Sequence, residues 1–380
     1  MSWRIRPFSR AVLLVTGSIV GAGIFGLPAA FAEVGFWPGT ILFFFLAGMV
    51  IATHLMYTEV ILATKKKMRL TGYAREGLGK MGFRLATISY PLQLIGACIA
   101  YIILGGEFIQ ILMQQVGVQI ALPVWQLGFW ALGAMIVLYS LKFVSLFESW
   151  ATTFLLLAII LAVSISVPFV DFGIIQIGNP ERWFAPFGIF LFSLSGLSIM
   201  SEAVDLAGRK RMHAYGAVTV GTLIAALFSW VFGVALYLAA RGYRIETTHD
   251  LISELPAGWA WLIPILGFLA VITSFIAISE DLETTMHIDY KLKPKVASAV
   301  ALFTPLILYI LVTRDFLATI SFVGSVFVGM NAVIVCLLTW KVVTHYKNTA
   351  ARVIGSTFTV FVMSVFIFGV VLKLFPTVLL

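Results

Sequence analysis

Long apolar runs follow one another along this chain, separated by short polar stretches. Eleven runs are long enough to cross a bilayer: 10–33, 38–63, 85–112, 124–140, 146–168, 184–206, 215–239, 259–279, 296–313, 316–340 and 353–377. The pattern predicts an all-α polytopic membrane protein with 11 transmembrane helices. The first run is not a plain lipid-facing helix. Gly17, Gly21, Gly23, Gly26 and Pro28 fall within its middle twelve residues. Backbone that leaves the helix inside a bilayer must find protein, ion or ligand partners. A discontinuous helix at this depth is a binding-site candidate, with the positive end of its second half facing any anion.

The sixth run carries Phe192-Ser193-Leu194-Ser195-Gly196-Leu197-Ser198, polar and glycine-containing at mid-depth. Spans one to five occupy 10–168 and spans six to ten occupy 184–340, nearly the same length. An odd number of spans per half inverts the second half, so the sixth span matches the first. The expected organisation is an N-terminal repeat (1–168, helices 1–5), an inverted C-terminal repeat (184–340, helices 6–10), and helix 11 (353–377) outside the repeat. Interrupted helices at corresponding places in two halves mark a transporter whose substrate binds where they meet.

Composition agrees: 61% of residues are hydrophobic and 11% charged, against about 25% charged in soluble domains. Mean hydropathy is +1.04. The first hydrophobic segment is expected to be retained rather than removed as a signal peptide. Net charge is +8, and 20 of the 25 basic residues fall on one side if the N-terminus is cytoplasmic. Arg182, Arg241, Arg244, Arg314 and Lys373 fall on the other. This bias predicts a cytoplasmic N-terminus and an extracytoplasmic C-terminus, in the plasma membrane of a prokaryote. The basic residues sit in short loops, so orientation explains them and nucleic acid does not. Cys98 and Cys336 lie inside apolar runs and read as packing residues. The basic loop 64–84 is either a plain linker or a short surface-lying helix, and the polar exterior loop 240–258 could form a lid. No nucleotide-binding loop, zinc spacing or catalytic triad is present, so the chain does not read as an enzyme.

Gly21-Ala22-Gly23-Ile24-Phe25-Gly26-Leu27-Pro28, followed by Gly35-Phe36-Trp37-Pro38 and the sixth-span Ser-Leu-Ser-Gly, resembles the amino acid–polyamine–organocation transporter superfamily. The nearest branches are the amino acid/auxin permeases and the aromatic/hydroxy amino acid permeases. The resemblance spans nearly the whole chain and implies a five-plus-five inverted-repeat fold, with discontinuous helices 1 and 6, working by alternating access. It implies that the Gly21, Ala22 and Gly23 turn offers backbone N–H groups to a substrate carboxylate. Ser193, Leu194, Ser195 and Gly196 would then face the ammonium. Helix packing is the competing reading, because Gly17-x-x-x-Gly21 also fits a small-residue crossing.

In sodium-coupled relatives with this fold, a Thr/Ser pair in the eighth span completes a cation site. The matching positions here are Thr273 and Ser274, with carbonyls of Gly17, Val20 and Ala270. Hard oxygen ligands suit Na+. Some cation-independent or proton-coupled relatives place a basic side chain from the fifth helix in this space, and 146–168 contains no Lys or Arg. The alternative is that Thr273 and Ser274 bond back to their own helix. For the side-chain pocket, the third span supplies Tyr90, Gln93, Gly96, Ala97 and Tyr101, and the eighth supplies Phe268.

The alternative coupling ion is H+, with His54, Glu59 and Glu107 as candidates, because ionisable groups within a bilayer raise a functional hypothesis. Glu202, Asp205, Glu280 and Asp281 end the sixth and eighth spans and read first as gate or loop contacts. Asn331, isolated in the tenth span, reads as a helix contact. The expectation is a secondary transporter of a small zwitterionic amino acid in a lipid bilayer, a sodium symporter with proton coupling as runner-up. No cofactor and no nucleic-acid partner is expected, and the sequence leaves any oligomeric partner open. An amino-acid sensor or membrane scaffold built on the same fold is the third reading.

Overall fold

The computed structural model describes residues 7–64, 66–139, 182–240, 259–311, 315–344 and 349–375, with short pieces between 156 and 175. All regular structure among them is helical. Nine of the described helices are long and apolar enough to cross a membrane, and ten when one bent pair counts as a single span. More than half of the expected 146–168 span lies outside the described residues, as does the whole loop 241–258.

The bent pair is the first run. Helix α1 (Pro7–Ile19) is followed by a 3-10 turn at Ala22–Gly26 and then α2 (Leu27–Val34), with 41° between the two halves. Pro28 sits in the first turn of α2, where its missing N–H costs nothing. Helix α3 (Phe36–Ala63) leads through a short loop into α4 (Leu70–Gln115). Gly79, with φ 68°, divides α4 into a short helix over 70–78 and the long helix over 80–115. Glycine is the residue that tolerates this left-handed backbone. The loop 64–84 is therefore no plain linker, because it contains a helix of its own.

The short helix is anchored from outside. Asp289, 4% exposed, accepts from the Arg69 N–H (3.1 Å), the Gly72 N–H (2.7 Å) and the Thr71 hydroxyl. It thus serves as the cap that the local sequence lacks. Left without it, each buried donor would cost about 1–3 kcal/mol.

Helix α5 (Leu122–Tyr139) closes the N-terminal part of the described chain. Helices α6 (Phe187–Leu194) and α7 (Met200–Leu206) form a second interrupted span, joined through Ser195, Gly196 and a 3-10 turn at Leu197–Ile199. Then come α8 (Arg211–Ala239), α9 (Trp259–Ile288) and α10 (Pro294–Leu311). The tenth run is α11 (Phe316–Phe322), a π-helical stretch over Val323–Val328, and α12 (Gly329–Thr344). Helix α13 (Thr349–Leu374) ends the described chain. Ile41, Leu138, Ile307 and Leu311 are among the apolar side chains exposed on the outside, as a lipid solvent requires.

The π-helical stretch packs against α6 at a glycine crossing. A Cβ on Gly324 would run into the Gly188 carbonyl oxygen, and one on Gly188 would run into the Ser321 carbonyl. Two backbones therefore meet at van der Waals distance between α6 and the tenth run. Small residues permit this approach, and packing drives helix association in lipid. A Gly324→Ala substitution is expected to lower the melting temperature of the purified protein by several degrees. Gly48→Ala is the control, because nothing lies within 4 Å of the added carbon, and its melting temperature should not fall. Equal melting temperatures for the two variants would count against this crossing.

Candidate functional site

The first break begins where Gly21 leaves the helix in an extended conformation (φ −134°, ψ −151°). Its own N–H reaches back to the Ile19 carbonyl (3.0 Å), and the Ile24 N–H bonds the Gly21 carbonyl (3.3 Å). Ala22 and Gly23 open the 3-10 turn, where the first donors have no partner within the helix. Phe25 holds the turn in place, edge-on to Phe108 of α4 (5.0 Å between centroids) and Phe232 of α8 (5.5 Å). The second break leaves the opposite set of groups. Helix α6 stops at Leu194 and Ser195 turns to an extended conformation, so the last carbonyls of α6 lose their intrahelical donors.

The two breaks touch. A Cβ on Gly23 would lie 2.8 Å from the Ser193 Cα, and one on Gly196 would lie 2.6 Å from the Ile19 side chain. The amides that open the first turn therefore stand beside the carbonyl end of α6, where the Phe192 carbonyl accepts from the Ser195 N–H (3.3 Å). That pairing is complementary to a molecule carrying a carboxylate and an ammonium. Gly21 packs against α9, with its Cβ position 2.6 Å from the Ser274 hydroxyl. Ser193, by contrast, turns its hydroxyl back to the Phe190 carbonyl (2.9 Å).

A cavity of about 280 Å³ begins beside this junction and runs toward the loop before α4. Gly17, Tyr101, Thr273 and Ser274 line its deep part, and Ser198, Arg69, Glu202 and Asp281 the rest. Its volume is just below the usual range for small-molecule sites, about 300–1,000 Å³. Gly21, Gly23 and Ser195 are not in its wall, and Ser274 is the link between cavity and turn. The fold thus brings Gly17, Thr273 and Ser274, the positions that the family resemblance implied, to one cavity. Thr273 donates to the Leu269 and Ala270 carbonyls (both 3.0 Å) and Ser274 to the Ala270 carbonyl (2.9 Å). Both hydroxyls act as donors to their own helix and keep lone pairs for a cation. The Ala270 carbonyl is already taken by them, which makes it the weakest member of the expected set. Val20 and Ala270 are buried at 0% and 2% exposure.

A profile of the tryptophan/tyrosine permease family matches residues 6–376. The chain belongs to that family. Glutamine transporter 2 of Aliivibrio fischeri is 22% identical over 333 residues, covering 84% of each chain. Tyrosine-specific transport system 1 of Haemophilus influenzae is 21% identical over 397 aligned positions, covering 96% of this chain and 95% of the relative. Among solved structures, MhsT in complex with L-phenylalanine superposes with a TM-score of 0.68 at 14% identity, over 97% and 99% of the two chains. Mhp1, a nucleobase-cation-symport-1 family transporter in a closed conformation with bromovinylhydantoin bound, gives 0.62 at 14% identity, over 98% and 94%. The tryptophan/tyrosine permeases are transporters rather than enzymes, and the fold is shared with the two solved transporters.

The remaining candidates sit in different surroundings in this permease. Gln93 donates to the Ser195 hydroxyl at 3.3 Å and accepts from Asn331 at 2.6 Å. Tyr101 packs on Phe192 (6.3 Å), beside the second break. Ala97 is buried in the same helix, and Phe268 packs edge-on to Phe129 of α5 (6.0 Å). Glu59 accepts from Arg211 and from the Tyr215 hydroxyl and acts as a strut between α3 and α8. His54, 1% exposed, pairs Nδ1 with the Thr222 hydroxyl (3.1 Å) and packs beside Gly196, while its Nε2 has no partner among the described residues. Glu107 lies partly buried in the C-terminal half of α4.

Arg69 was legible only as one of the loop cations, and it proves to be the hub of the cavity's far end. Its guanidinium pairs with Glu202 of α7 (2.7 Å), with Asp281 of α9 (2.9 Å) and with the Ser198 carbonyl (3.2 Å). Tyr90 donates to the second Asp281 oxygen at 2.6 Å. Burial by itself would lower the Arg69 pKa, but Asp281 and then Glu202 outweigh it and raise it, so the cation persists at any working pH. Glu202 and Asp281, read from the sequence as gate or loop contacts, both pair with Arg69. An Arg69→Ala variant should let a charged thiol reagent reach Ser198→Cys about tenfold faster, the effect of about 1.4 kcal/mol of lost closure. Cys98 and Cys336 are buried and give little background. An unchanged labelling rate would mean that this cluster does not restrict entry.

Proposed function

We propose that this permease is a secondary active transporter that carries one zwitterionic amino acid per cycle by alternating access, driven by sodium symport. One observation carries the reading: the contact of Gly23 with Ser193, which sets the amides that open the first turn beside the carbonyl end of α6. The Ala22 and Gly23 amides take the carboxylate, aided by the positive end of the helix that follows. Carbonyls at the end of α6 take the ammonium. Relatives named for glutamine and tyrosine transport, and a fold neighbour crystallised with L-phenylalanine, favour an amino acid as cargo. The two repeats, 1–168 and 184–340, are the bodies that rock against each other, with 353–377 outside them. With the basic loops on the cytoplasmic side, the cavity beside Arg69 is the inner vestibule.

For the coupling ion, Gly17, Thr273 and Ser274 at one end of that cavity would hold Na+, with the Val20 carbonyl, while Ala270 contributes only if the two hydroxyls turn away from it. The bound cation would stabilise the bent first helix and the substrate carboxylate beside it. A specific observation keeps the proton alternative in view, namely the buried His54 beside the second break, its Nε2 without a partner among the described residues. Glu59 is less suited to that role, since Arg211 and Tyr215 already engage both of its oxygens.

Reconstituted protein should accumulate an amino acid from a panel when a sodium gradient is imposed, and not under a pH gradient alone. Thr273→Ala with Ser274→Ala should abolish the sodium response while the protein still melts cooperatively. Accumulation under a pH gradient alone would move the coupling to His54. Gly23→Val should remove amino-acid binding, because its side chain would meet the backbone at Ser193. Normal binding by that variant would overturn the carboxylate turn.

A further inference from the structure

Behind the second break lies a chain of four polar side chains drawn from three elements: Ser89 and Gln93 of α4, Asn331 of α12, and Ser195. Its direction follows from which amide atom faces which hydroxyl: the Asn331 oxygen is toward Ser89 and the Gln93 nitrogen toward Ser195. Ser89 Oγ is 2.6 Å from Asn331 Oδ1 and 3.1 Å from the Leu85 carbonyl of its own helix, so its proton goes to Asn331. The Asn331 amide nitrogen then faces Gln93 and donates to its Oε1 at 2.6 Å. Gln93 is left to turn its N–H groups toward Ser195, whose Oγ accepts at 3.3 Å. Asn331 is fully buried and Gln93 is 7% exposed, so water does not scramble the order.

The Ser195 hydroxyl is the end of this relay. One of its lone pairs is occupied by Gln93, and among the described residues its own proton has no protein acceptor. Its neighbours Leu194 and Gly196 are buried, while Ser195 is only half-buried. A hydroxyl fixed in this sense has its proton left to donate, and an ammonium, itself only a donor, cannot use that proton. We propose that Ser195 reads the side chain of the cargo: it donates to a neutral oxygen there, so the preferred substrates bear a side-chain amide or hydroxyl. Asn331 is a positioning residue that sets the Gln93 amide and through it the Ser195 proton. This rests on the amino-acid transport reading above, and it moves the Ser195 hydroxyl from the ammonium to the side chain.

Substitution at Asn331 tests direction and not just presence. An ionised aspartate offers only acceptors, so Asn331→Asp would take the Gln93 N–H groups and turn Oε1 toward Ser195. The Ser195 proton would then be used within the protein. The measurement is the binding constant of purified full-length protein for two matched pairs, L-glutamine against L-methionine and L-tyrosine against L-phenylalanine. The native protein should favour the oxygen-bearing member of at least one pair by about tenfold, the worth of one well-placed hydrogen bond. Asn331→Asp and Ser195→Ala should each bring that ratio within about threefold. The double variant should match Ser195→Ala alone, because Asn331 acts through that hydroxyl.

Where Asn331→Asp does not fold, Gln93→Met, uncharged and of similar length, gives the same readout. Equal weakening of both members of each pair, or an Asn331 effect that persists without the Ser195 hydroxyl, would overturn the proposal and leave transport intact. A native protein that binds the amino acids without discriminating within either pair would also overturn it alone. Failure to bind any of the four would instead remove the transport reading on which it stands.

Discussion

The contact between the two broken helices is the constraint on which the rest of this architecture depends. A helix that unwinds inside a bilayer leaves amides and carbonyls without water to receive them. Here the breaks are placed side by side, so each supplies the polarity that the other lacks. Gly23 must stay without a side chain because Ser193 backbone occupies the space, and Gly196 because Ile19 does. The Phe25 ring, wedged between Phe108 and Phe232, keeps the first turn from refolding into a continuous helix. The close approach of Gly188 and Gly324, and the π-helical stretch that accompanies it, hold α6 from its other side. π-helical turns are frequent at functional sites, and this one lies against the helix that carries the second break.

Much of this was legible in the sequence because its signals are local. Glycine and proline density marks the first break, and the Ser-Leu-Ser-Gly stretch marks the second. Hydropathy gave the spans that the structure describes, since in lipid the outer face must be apolar whatever the partners inside. The meeting of Gly17 with Thr273 and Ser274 came from the family resemblance and not from the residues themselves. The back-bonding of those hydroxyls was the stated rival reading, and the structure contains it, with both oxygens still facing the cavity end.

What stayed illegible depends on partners far apart in the chain. Arg69 resembles every other loop cation until folding brings it to Glu202 and Asp281, 133 and 212 positions away. Asp289 looks like a residue that merely ends a helix, yet it caps a different one through Arg69, Thr71 and Gly72. Asn331, a lone amide among apolar residues, does bridge helices as expected, but its partner Gln93 also reaches the second break. No periodicity encodes these pairings, because the register between helices is set by packing. The one available clue was chemical: an amide or a carboxylate deep in an apolar run has to find a partner.

The two ends of the cavity solve the problem of charge in different ways. At the Arg69 end, full charges are paired with full charges, and removing one partner of such a buried pair costs about 3–5 kcal/mol. Any movement of α7 away from α9 must break one of these pairs, so that end separates only when water or new contacts replace them. At the deep end there are no formal charges among Gly17, Thr273, Ser274 and the two breaks, only helix-terminal dipoles and hydroxyls. Partial charges of this kind bind a carboxylate or an ammonium without holding a counter-charge in reserve. When such a site empties, no unpaired ion remains buried, and the breaks can close on each other through the contacts seen between Gly23 and Ser193. A carrier has to return empty as readily as it travels loaded. For the transport cycle proposed above, a deep end made of backbone, with the fixed charges kept to the Arg69 end, meets both halves of that requirement.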